Sequence, residues 1–172
     1  MRPLALIVPW LFALAVPAWA GQAHEHGAAR LDVAADAGTL NLSLDTPMDS
    51  LLGFERAPRN DAERRAVEKL VATLRAANTL FAFDATAGCS LASVELRSAA
   101  LGLGPAAMGP SDGHGDLEAE FGFRCRGAPA YVEVGLFEAF PRLARLDVQT
   151  ATAKGQRKLV LRRPASRIDL AR

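Results

Sequence analysis

The 172-residue chain contains three histidines, and two of them, His24 and His26, stand one residue apart. In an extended backbone, residues i and i+2 point to the same side. Both imidazoles could therefore turn toward one ion, with Glu25 facing away or folding in as an oxygen ligand. Imidazole suits zinc, copper and nickel, and a tight site needs three or four ligands. His114, flanked by Asp112 and Asp116, is the natural third, and the two aspartates are further oxygen donors. On residue types alone, a His-x-His pair on a short polar tail is more often solvated than ligating, so both readings stand here. Binding through imidazoles should fail as they protonate, below about pH 6.

No other chemistry assembles. There is no G-x-S-x-G elbow, and Gly102-Leu103-Gly104 lacks the strand–turn–helix setting of a nucleotide loop. Glu118 and Glu120 alternate on what reads as the outer face of a strand. No acid, base and pocket come together, and the chain is expected not to be an enzyme. The two cysteines, Cys89 and Cys125, allow a single pairing. In an oxidising compartment a disulfide is the default, closing a loop of about 37 residues worth about 3–4 kcal/mol in the chain-entropy model. The alternative, a thiolate metal site, needs both reduced and close to other ligands.

The compartment follows from the leader. Arg2 precedes an apolar run, Leu4 to Val16, interrupted by Pro9, and Ala18-Trp19-Ala20 supplies an A-x-A cleavage pattern. The run is too short to span a bilayer comfortably. Residues 1–20 therefore read as a Sec-type signal peptide cut after about Ala20, with no twin-arginine pair and no cysteine behind the cut to carry a lipid. Cleavage there puts His24 fourth, one residue out of register for an amino-terminal copper or nickel chelate. Residues 21–172 are expected to form a single periplasmic domain without a membrane anchor. The 20 basic and 19 acidic residues of the chain become balanced once Arg2 is removed, which gives no electrostatic reason to bind nucleic acid. The basic carboxyl-terminal stretch (Arg157, Lys158, Arg162, Arg163, Arg167, Arg172) reads as the solvated side of a terminal strand.

The elements that must position these residues are mostly strands. Ala28 to Ala35 and Thr39 to Asp45 alternate apolar and polar around Asp36-Ala37-Gly38, a β-hairpin pattern. An irregular stretch, TPMDSLLGFERAP, follows. Asn60 and Glu63 then form a capping-box pattern ahead of Val67, Leu70, Val71 and Leu74, which share one helical stripe. Arg64, Arg65, Glu68, Lys69 and Arg75 take the other face. Asn78 to Asp84 is a short apolar segment, and Cys89 to Leu96 and Asp116 to Cys125 are two more strands. The Gly- and Pro-rich connection between them, residues 102–115, reads as a flexible loop. Tyr131 to Phe137 is a strand followed by a turn at Glu138 to Leu143, and residues 145–152 and 157–162 make a final hairpin. The expected fold is α+β: six or seven mostly antiparallel strands with one long amphipathic helix packed on the sheet.

Several of these motifs fall in an order that resembles the ZrgA-type periplasmic zinc-binding proteins. They are HEHGAARLDV, SLLGFERAP, Gly88-Cys89, GHGDLEAEFGFRC, and LFEAFPRLARLDVQ followed by TAKGQ, covering nearly all of residues 21–172. The resemblance implies a secreted, non-enzymatic protein that binds zinc and assists its uptake, beside components of a zinc ABC importer. Carried over by position, it implies His24, His26 and His114 as ligands, and Cys89 and Cys125 as the family's paired cysteines. Two departures remove candidate ligands. The loop GLGPAAMGPSDGHG keeps a single histidine where relatives often carry many, and Arg56 stands where relatives often place a histidine, an unfavourable neighbour for a cation. The rival reading is a metal-independent envelope interaction module that docks a partner through the sheet surface or the Phe137–Phe140 region.

Overall fold

The structure, a computed structural model, describes residues 25–105 and 115–171. The expected signal peptide, residues 1–20, lies outside them, as do residues 106–114 of the Gly- and Pro-rich loop. In chain order the elements are β1 (Ala28–Asp36), β2 (Thr39–Pro47), α1 (Asp49–Leu52), α2 (Asp61–Arg75), α3 (Ala77–Leu80), β3 (Phe81–Phe83), β4 (Ser90–Arg97), β5 (Asp116–Arg124), β6 (Tyr131–Val134), α4 (Leu136–Ala139), β7 (Arg145–Thr152), β8 (Gly155–Arg162) and β9 (Arg167–Asp169).

Period-2 alternation builds a six-stranded sheet in the order β4-β5-β2-β1-β7-β8. Neighbours run antiparallel except β1 and β7, which pair parallel from Ala28 opposite Arg145 to Ala34 opposite Ala151. The inner face carries Leu31, Val33, Leu40, Leu42, Leu44, Phe121, Phe123, Leu146 and Val148, all buried. Covering it are Leu70 and Leu74 of α2 and a second, three-stranded sheet in the order β3-β6-β9. Phe81 and Phe83 of β3 bind the two sheets together, with ring centroids 5.1 Å (Phe81–Phe121) and 4.8 Å (Phe83–Phe123) apart. Such tilted and edge-on pairs add to the burial itself.

Mostly antiparallel strands in one domain were expected, and strand residues outnumber helical ones in the described chain. The strand count differs: nine strands in two sheets among the described residues, rather than six or seven on one. The extra ones, β3 and β9, are three residues long, too short to show a period. Asn78 to Asp84 divides into the end of α3 and β3 because Leu80 and Phe81 are both buried, which no single face could achieve. Tyr131 to Phe137 is a strand only as far as Val134, and Leu136 to Ala139 turns helical. The irregular stretch contains α1. Phe137 and Phe140 are 4 % and 5 % exposed, so they pack in the core and offer no docking surface. The carboxyl-terminal arginines are not all solvated either: Arg163 donates to the carbonyls of Phe140, Pro141 and Leu143 at 3.3, 3.1 and 3.0 Å.

Among the described residues α2 is the one helix longer than a single turn. Asn60 caps it, its side chain accepting from the Glu63 N–H at 2.9 Å. The reciprocal half of the box is redirected: the Glu63 carboxylate accepts from Arg56 (2.7 and 3.0 Å) and from the Arg59 N–H (2.7 Å). Cys89 and Cys125 are joined in a disulfide that ties the residue before β4 to the residue after β5. A thiolate metal site is thereby ruled out, because neither sulfur is free.

The Arg56 guanidinium, then the Arg59 N–H, hold the Glu63 carboxyl down at about 2 from an ordinary 4.5. A depressed acid contributes stability that is present above its ordinary value and is lost as pH falls toward its folded one. Glu63→Gln should lower the denaturant midpoint at neutral pH, and the gap to wild type should close as pH falls from 4.5 toward 2. A gap that stays constant across that window would show that the carboxylate charge is not what Arg56 and Arg59 hold.

Candidate metal centre

Where β2 ends, the chain makes the single turn of α1. The N–H groups of Leu51 and Leu52 close on the Met48 carbonyl, and Gly53, at φ 85°, turns its N–H back to the Asp49 carbonyl at 3.0 Å. That positive φ is a conformation glycine adopts at little cost. The turn presents Asp49 and Ser50 to the segment ahead of β1. Ser50 is fully buried, and its Oγ accepts from the Gly27 N–H (3.0 Å) while donating to the Ala28 carbonyl (3.0 Å). From the opposite side, the Gly27 carbonyl accepts from the N–H groups of Ala144 and Arg145 at 2.7 and 3.0 Å. Residues 27 and 28 are thus clamped between α1 and the start of β7.

The clamp sets His26 against Asp49. His26 Nδ1 lies 2.9 Å from Asp49 Oδ2 and 4.0 Å from Glu55 Oε1. Asp49 has its carboxyl pushed down, by the His26 hydrogen bond first and then by Arg142 against an opposing effect of burial. An ionised carboxylate can only accept, so the hydrogen lies on Nδ1. The same hydrogen bond, with the Asp49 charge behind it, pushes His26 above its ordinary 6.5. With Nδ1 committed, the free coordinating atom of a neutral His26 ring is Nε2, on a side chain 66 % exposed. Glu55 Oε1 is buried and has no hydrogen-bond partner among the described residues, a costly state for a carboxylate oxygen.

Register brings a distant segment to the same corner. Arg30 pairs with Asp45 across β1 and β2, and Pro47 pairs with Asp116 across β2 and β5. The starts of β1 and β5 therefore share one end of the sheet. Gly115 is wedged there: its carbonyl accepts from the Met48 N–H at 2.9 Å, and a Cβ on it would come within 2.3 Å of the Glu55 carbonyl oxygen.

Of the residues singled out by sequence, His26 stands at this corner and Asp116 begins β5 beside it. Glu25 turns away, its Oε2 2.6 Å from Arg145 Nη1. His24, Asp112 and His114 lie outside the described residues. Within the described residues, no group of three or more His, Cys, Asp or Glu side chains is set to hold a metal ion. Arg56, expected to disfavour a cation, spends its charge on Glu63 and stacks on Phe54, 5.2 Å from the ring centroid. A surface hollow of about 610 Å³ crosses the polar face of the large sheet over Asn41, Ser43, Ser93 and Gln149, and no histidine or cysteine lines it. Sequence reasoning missed Asp49, Ser50, Glu55 and Arg142. The available signal was the pair of acids in the otherwise apolar stretch DSLLGFE.

The sequence pattern of the ZrgA family zinc uptake proteins matches residues 23–170. The chain belongs to the ZrgA family. The match takes in both leading histidines, the α1 turn and every strand, so a role in zinc uptake attaches to the whole described fold. No curated protein matches the chain. No helix among the described residues of this ZrgA family member is long and apolar enough to cross a membrane.

Ser50→Ala should cost about 1–3 kcal/mol, because it strips a buried N–H and a carbonyl of one partner each. Urea unfolding measures it. A loss near zero would mean that the hydroxyl does not hold residues 27 and 28 to α1.

Proposed function

We propose that the protein is a periplasmic accessory of zinc uptake, which binds zinc as cargo through His26, His24 and His114 and carries out no catalysis. The observation that supports this reading is the His26–Asp49 hydrogen bond. Metal-ligating histidines commonly donate their other ring N–H to a carboxylate, which fixes tautomer and orientation and raises basicity. His26 has that arrangement, on a side chain that is largely exposed. The Glu55 oxygen 4.0 Å away, without a hydrogen-bond partner among the described residues, adds negative charge beside the ring, which favours a cation.

The other two ligands of this reading are His24 and His114. In sequence His24 stands two residues before His26, and His114 directly precedes Gly115, which packs on Glu55. Asp112, Asp116, Glu25 or water then completes the shell. Imidazole donors also accept copper and nickel, and family membership favours zinc. Components of a zinc ABC importer are the natural recipients. Export through Sec, with cleavage after about Ala20, puts the protein where that hand-over occurs.

Calorimetric titration of zinc into tag-free protein tests the reading. His26→Ala, and the variant with all three histidines changed to alanine, should lose binding. Asp49→Asn should weaken it by about 10–100-fold, as removal of an outer-shell partner does. Equal affinity in wild type and the triple variant would overturn the proposal. The pH dependence carries a sign: zinc takes the neutral ring, so protonation competes as pH falls through the His26 value. Asp49 raises that value above 6.5, so affinity should begin to fall above the expected pH of about 6. Asp49→Asn should shift that fall to lower pH, and an unshifted profile would separate His26 protonation from Asp49.

A further inference from the structure

Arg142 follows the turn after α4 and reaches back to α1. Its Nε donates to the Asp49 carbonyl at 2.9 Å, and Nη2 lies 3.3 Å from each of the two carboxylate oxygens. Gly53 packs on the other side: a Cβ there would come within 3.3 Å of the guanidinium carbon. The guanidinium is therefore seated on the α1 turn and shares the carboxylate that orients His26. Among the described residues, Asp49 is the acid it pairs with.

We propose that Arg142 is a built-in cation that lowers the zinc affinity of the His26 site and so makes it a releasing site. This rests on the zinc reading above. Two effects of Arg142 oppose each other. Its fork steadies Asp49, which favours binding. Its charge neutralises the carboxylate behind His26 and repels a divalent ion, which disfavours binding. The steadying is in part redundant, because the α1 turn and the Ser50 clamp already fix the Asp49 backbone and His26 also holds the carboxylate. The charge is not redundant, since among the described residues Arg142 is the cation, other than His26 itself, that pairs with Asp49. Arg142 is 55 % exposed, so water and salt screen it and its effect on affinity is on the order of tenfold.

The test titrates zinc into wild type, Arg142→Gln, Arg142→Lys and His26→Ala, at low salt and at about 1 M salt. Arg142→Gln should bind about tenfold tighter at low salt, with the gain shrinking at high salt. Arg142→Lys, which keeps the charge and loses the fork, should stay near wild type. Loss of affinity in both Arg142 variants would assign Arg142 a purely positioning role and overturn the charge proposal. Unchanged affinity in Arg142→Gln, with binding lost in His26→Ala, would overturn it too while leaving the zinc site standing. Binding in His26→Ala equal to wild type would overturn the site reading and this inference together. In unmutated protein, the Arg142 Nε–H resonance should move as zinc is added, and a resonance fixed through saturation would refute the coupling without any variant.

Discussion

A single buried hydroxyl joins the segment ahead of β1 to the turn after β2. Ser50 Oγ uses both its hydrogen-bonding roles there, accepting from Gly27 and donating to Ala28. Because His26 directly precedes that pair and Asp49 directly precedes Ser50, these two side chains meet through their neighbours' backbone bonds. A fully satisfied buried polar contact specifies one arrangement, and a slipped alternative would strand a buried hydroxyl. Gly27 completes the constraint, since its carbonyl serves two N–H groups at the head of β7. The His26 imidazole, just ahead of this clamp, is thereby held against Asp49.

Strand order extends the constraint across the sheet. Histidine-bearing segments precede β1 and β5, strands far apart in sequence. With β2 between them and antiparallel to both, β1 and β5 run the same way and begin at the same end. The parallel pairing of β1 with β7 adds the start of β7, and with it Arg145 opposite Ala28. Arg145 then engages Glu25 and Asp147, which keeps Glu25 away from the carboxylates around His26. Positive and negative groups are sorted along one edge by register alone.

Much of the scaffold was legible because alternation is a local signal. β1, β2, β5 and the pair β7 and β8 follow from period 2, and the start of α2 from Asn60. What was not legible depended on partners distant in sequence. β3 and β9 exist because β6 lies between them, and Phe81 is a strand residue because Phe121 gives its ring a place to pack. The site divides in the same way. His26 could be named from residue type and spacing, but Asp49 and Glu55 sit in a segment with no period at all, and their role comes from a turn, a clamp and a register. Arg56 misled for a related reason: its position in the motif suggested the site, whereas its side chain pairs with Glu63 seven residues on.

Charge placement at the corner bears on how much metal such a site could hold. Asp49 is shared between His26 and Arg142, Glu25 is taken by Arg145, and Glu55 keeps a buried oxygen without a hydrogen-bond partner among the described residues. A store for many ions would need many uncommitted donors, and the loop ahead of β5 contributes one histidine. Each arginine that answers an acid here removes an oxygen from potential coordination and adds a charge that a divalent ion must approach. Within the zinc reading, that balance suits low capacity and easy release. On that reading, a protein that passes its ion onward gains more from a ready exit than from the tightest grip, because the next binder must be able to take the metal away.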